Sequence, residues 1–167
     1  MAWPARGLPL LLAAAALLAP TGCAGDAGGL ETLRIAGETF RLELAADPAS
    51  RRRGLMGRAS LAEDGGMLFV FPRARPRSFW MGHCLIDIDA IFLDGRGRVT
   101  ATHAMRAEPP QGPEESDGDY RRRMPDYASN GPAQYVIELR GGTLPRLGLR
   151  VGDPIELDRA RLSALAR

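Results

Sequence analysis

Strict alternation of apolar and polar residues, broken every few positions by glycine or proline, most narrows what this chain can fold into. Leu33 and Ile35, then Phe40, Leu42 and Leu44 beyond Ala36-Gly37-Glu38, keep one apolar face along an extended chain. Successive strand side chains point to opposite faces, so this spacing predicts a half-buried hairpin. Met67-Leu68-Phe69-Val70-Phe71 is a continuous apolar run suited to a buried strand. Ile86, Ile88, Ala90 and Phe92 alternate with Asp87, Asp89, Ile91 and Leu93 up to the turn Asp94-Gly95-Arg96-Gly97. Val99, Ala101, His103 and Met105 share one face of a return strand, which puts His103 on the side of Ile88. Tyr135, Ile137 and Leu139, and after a Val151-Gly152-Asp153-Pro154 turn Ile155 and Leu157, supply the last strands.

Helix signals are few. Asp47-Pro48 reads as an N-cap with proline at the first helical position, opening a short helix over Arg51-Arg52-Arg53 that Gly54 ends. Residues 159–167 form a frayed helical tail. Residues 72–76 read as a proline- and arginine-rich loop, and residues 108–132 as the longest irregular stretch, with one helical turn near 114–123. The expectation is a mainly β domain over residues 31–160, a small sandwich or barrel with one or two short helices.

The first residues argue for export. Arg6 is the only charge before an apolar run at 8–19, too short to span a bilayer comfortably, and Pro20-Thr21-Gly22-Cys23 follows. That stretch resembles the lipobox of bacterial lipoprotein signal peptides, whose cysteine becomes the acylated first residue of the mature chain. A lipoprotein signal at 1–23, lipidation of Cys23 and a flexible tether at 24–30 are expected, with membrane contact through the lipid and a place in the cell envelope. An ordinary secretory signal with an incidental Cys23 is the competing reading.

Charge and cysteine content exclude several functions. Of 22 basic residues Arg6 alone lies in the leader, which leaves 21 against 20 acidic, and no long basic stripe appears. Nucleic acid is therefore not an expected partner. All basic residues are arginine, which excludes a lysine Schiff base. With Cys23 lipidated, Cys84 is the other of two cysteines, and the fold must rest on its apolar core.

A set of blocks in fixed order resembles the bacterial and archaeal domain of unknown function 192 family. The blocks are Arg53-Gly54-Leu55-Met56-Gly57-Arg58, Gly66-Met67-Leu68-Phe69-Val70-Phe71, Phe79-Trp80-Met81, Asp89, Phe92-Leu93-Asp94 and Tyr135-Val136-Ile137-Glu138-Leu139, followed by Gly148-Leu149 and Gly152-Asp153. They span roughly residues 40 to 158. The resemblance implies a compact, mostly β domain, often exported, and carries no activity with it. Where the family commonly reads Asn-Thr, two residues and then Pro, this chain has His83-Cys84 and Asp87.

That departure raises a chemical alternative. A thiolate attacks a carbonyl when an imidazole takes its proton and a third group orients the ring, and Cys84, His83 or His103, and Asp87 or Asp89 supply those types. On a strand, however, adjacent His83 and Cys84 point to opposite faces. Asp87 and Asp89 with His83 are also a sparse divalent-metal set, without a fourth dependable ligand. The preferred reading is a non-catalytic module that needs no cofactor. It binds a protein or small molecule in a groove lined by Met67, Phe69, Phe79, Trp80, Met81 and Asp89. A hydrolase using Cys84 or a metal near Asp87 and Asp89 is the alternative. Glu138, inside an apolar strand, is a candidate buried carboxylate, with Arg58 its expected partner.

Overall fold

The computed structural model describes residues 29–167 together with Met1. The expected signal peptide, the expected lipidation at Cys23 and most of the expected tether fall on residues outside the described ones. Among those described, no helix is long and apolar enough to cross a membrane.

The mainly β expectation holds, as one six-stranded mixed sheet that does not close, ordered β1-β2-β3-β6-β4-β5. β1 (Leu30–Ile35) and β2 (Glu38–Ala45) form the expected hairpin. Its two-residue turn puts both Ala36 and Gly37 at positive φ, the twist that matches a right-handed strand pair. α1 (Pro48–Arg53) begins as expected: Asp47 accepts from the amides of Ala49 and Ser50. The chain then returns as β3 (Gly65–Phe79), parallel to β2. β4 (Ile88–Leu93) and β5 (Val99–Met105) form the second hairpin, in which Ala90 faces His103. Asp94 closes its turn by accepting from the amides of Arg96 and Arg98.

β6 (Tyr127–Arg140) runs antiparallel between β3 and β4. Its neighbours bury the sheet's centre on both sides, which is why Met67–Phe71, Ile88–Leu93 and Tyr135–Leu139 are nearly continuous apolar runs. One core holds Leu68, Val70, Ile91, Tyr135 and Ile137 under the β1–β2 hairpin, α3 (Leu144–Leu147) and α4 (Arg159–Leu165). The other holds Phe69, Met81, Cys84, Ala90, Phe92 and Val136 under Leu55.

Several local expectations change. Residues 72–76 are strand rather than loop, because β3 continues through them, with Pro72 inside the register shift between Val70 and Arg75 and Pro76 opposite Pro132 just before the next shift. The irregular region ends at residue 126, where β6 starts, and its helical turn is α2 (Asp117–Arg123). Ile155 and Leu157 form no strand; the nearest pairing is an isolated bridge between Arg98 and Pro154. The helices number four among the described residues.

Candidate functional site

Glu138 lies near the C-terminal end of β6, paired with Met67 on one side and Ala90 on the other. Strand parity sends its side chain to the Phe69 face. There it is only 6% exposed and makes no hydrogen bond or ion pair among the described residues. The partner expected for it is taken: the Arg58 guanidinium binds Glu43 instead. Burial, unopposed by a close positive charge, pushes the Glu138 carboxyl up to about 8.

This carboxyl lines a cleft of about 850 Å³ between the end of α1 and the outer half of β3. Gly54, where α1 ends, has φ +49 and passes close over the floor; an added Cβ would lie 3.3 Å from the Phe69 ring and 4.0 Å from Glu138 Oε2. Phe69, Phe71, Phe79 and Trp80 supply aromatic walls, and Arg51, Arg52, Arg53 and Arg77 line it with positive charge. The Phe79 ring meets Phe69 edge-on at 5.1 Å, so it is held in place. Trp80 is half-buried, T-shaped against Tyr120 at 6.0 Å, with the Arg121 guanidinium 5.0 Å from its ring. Gly82 leaves room for the indole, since a Cβ there would come within 2.3 Å of the ring.

Arg77 is set before any ligand arrives. Its guanidinium lies 3.3 Å from the Phe71 ring centroid, and its Nε and Nη2 donate to the carbonyls of Ala133 and Arg73. Burial, with the charges of Arg51 and Arg75 nearby, lowers it to about 10, so it stays cationic at neutral pH. Arg51 donates to the carbonyls of Ala46 and Val70 and to the main-chain oxygen of Arg167. Among the described residues, neither Arg52 nor Arg77 pairs with a carboxylate.

Of the six groove candidates, Phe69, Phe79 and Trp80 line this cleft. Met81 is buried in the core beneath, and Met67 lines a different surface, beside Glu43 and Arg161. Asp89 faces the opposite core, where its Oδ2 accepts from the Leu144 amide at 2.7 Å and holds the start of α3. The residues missed by sequence reasoning are Arg77 and the cleft-side role of the Arg51 cluster. A lone acid inside Tyr135-Val136-Ile137-Glu138-Leu139 was the signal for the floor.

The chemistry of the alternative finds little support in this geometry. Cys84 is 8% exposed, its thiol donates to the Gly82 carbonyl at 3.6 Å, and burial pushes it up to about 12. A thiol so placed supplies little thiolate. His83 stacks on Tyr120, and His103 bonds the Ala128 carbonyl while meeting Phe92 and Tyr127. Asp87 is engaged by Arg106 and the Ala107 amide, which hold its carboxyl below the usual carboxylate range. Asp87 and Asp89 are thus separately occupied, and no group of three metal-ligating side chains occurs among the described residues.

Solved structures with this fold carry little functional description. A chain from Sinorhizobium meliloti 1021, provisionally described as a transcription regulator, is 34% identical, with a TM-score of 0.59, over 76% of this chain and 90% of that one. A protein of unknown function from Novosphingobium aromaticivorans DSM 12444 is 30% identical, with a TM-score of 0.62, over 77% of this chain and 85% of that one. No curated protein matches the chain. The family DUF192, described as uncharacterized ACR, matches residues 31–157, and the chain belongs to it.

Proposed function

We propose that this protein is an envelope lipoprotein whose β-rich domain is a non-catalytic binding module for a small organic anion, seated in the Trp80 cleft. The observation that carries the reading is the cleft's make-up: aromatic walls beside the Arg77 and Arg52 guanidiniums, which pair with no carboxylate among the described residues. Its volume is within the roughly 300–1,000 Å³ common for small-molecule sites, and such sites combine apolar walls with few placed polar groups. Arginine fits the charge, since a fixed planar fork binds carboxylates with little further ordering. The lipid on Cys23 tethers the module and leaves the cleft free for a ligand rather than a membrane.

The two tryptophans make a direct test available. Trp3 lies in the leader that processing removes, so Trp80 is the sole indole of the mature protein. Titration with 4-ethylbenzoate is expected to change its emission saturably, while benzylamine, of the opposite charge, leaves it unchanged. Equal responses to both, or none to either, would sink the anion-binding reading.

A further inference from the structure

We infer that the cleft takes its anion with the charged end at the arginine mouth and a hydrogen-bond acceptor, such as a ketone carbonyl, at the inner end, where the Glu138 carboxyl donates to it. The inference rests on the Trp80 cleft being a ligand site and names the class of ligand it takes.

Glu138 is the one polar side chain on the cleft floor, is more than nine-tenths buried, and has no partner among the described residues. Its oxygens still reach solvent in the cleft, so a ligand that displaces that water must meet the carboxyl, and one that does gains selectivity over one that does not. Held up to about 8, the carboxyl carries its proton at neutral pH and offers an O–H donor. Of the groups facing it, one is a neutral thiol and the others are guanidiniums, whose pull towards the ionised carboxylate burial outweighs. From the loop after β3 comes Cys84, neutral because burial pushes it up to about 12. From α1 come Arg51, Arg52 and Arg53, and from β3 comes Arg77, all cationic. The cleft therefore has a cationic mouth, apolar rings between, and a neutral donor at the floor. A cation is disfavoured at the mouth, and a wholly apolar inner end leaves the donor unmet.

The probes are 4-acetylbenzoate and 4-ethylbenzoate, equal in charge and nearly equal in size, differing at the group that would reach Glu138. Calorimetric titration of the full chain at pH 6.5 is expected to show the acetyl compound binding about tenfold tighter. At pH 9 the Glu138 proton is lost and the preference should disappear, while both benzoates stay anionic. Glu138→Gln keeps an N–H donor at either pH, so its preference should survive at pH 9. Glu138→Leu should remove it at both. Equal affinities at pH 6.5, or a wild-type preference unchanged at pH 9, would overturn the donor role while leaving the cleft a ligand site. Absence of binding by both probes would remove the site itself, and this inference with it.

Discussion

Glu138 carries a cost that depends on pH, and the sign follows from its surroundings. Its folded-state value is raised above the unfolded one, so its contribution is fully present below about pH 4.5 and is lost as pH rises towards 8. Over that window the unfolded chain gains by ionising and the folded chain does not. Glu138→Gln removes the titration, so the variant should gain on wild type by on the order of 3 kcal/mol between pH 5 and pH 8. Urea denaturation at the two values measures it. A difference that stays constant with pH would mean the native carboxyl is already ionised. The lone acid was visible within its apolar strand, but its environment was not. Arg58 was the natural partner on charge alone, yet the fold sets it against Glu43, and no local pattern shows which acid an arginine meets.

At the scale of elements, legibility tracks how local the cause is. The 36–37 turn, the Asp47 cap and the two period-2 hairpins are written in neighbouring residues, and all appear where expected. α3 is not. Its four residues contain Pro145, and Thr143 provides no side-chain cap, donating its hydroxyl to the Arg140 carbonyl instead. The acceptor for its first turn is Asp89, which reaches the Leu144 amide from β4 across 55 positions of sequence. Asp89→Ala should therefore cost about 1–3 kcal/mol, since it strands an amide in a buried setting. Asp89→Asn keeps an acceptor and should cost less. Equal losses for the two in thermal or urea unfolding would show that α3 does not depend on this bond. The extension of β3 through Pro72 and Pro76 was hidden for a related reason. Proline reads as a break, and only the pairing with β6 shows that the register shifts there.

Considered whole, the chain spends its apolar runs on both faces of one open sheet rather than on the inner faces of two. The alternation of β1 and β2 fitted either arrangement. The continuous runs of β3, β4 and β6 demand cover on both sides, and short helices and loops provide it. That cover is thin beside α1, where it leaves the Trp80 cleft open. The proposed lipid anchor belongs to this scale too. Cys23→Ala should block lipoprotein processing and shift the domain from the membrane fraction to the soluble one, and unchanged fractionation would refute lipidation.

If the Trp80 cleft holds a small organic anion, titration of the full chain with 4-ethylbenzoate moves its amide and side-chain NMR signals at the cleft. Saturable shifts are expected at the Trp80 indole N–H, the Arg77 Nε–H and the amides of Gly54 and Phe79, with β1 and α4 silent. Shifts centred on another surface, or none at millimolar probe, would contradict that reading.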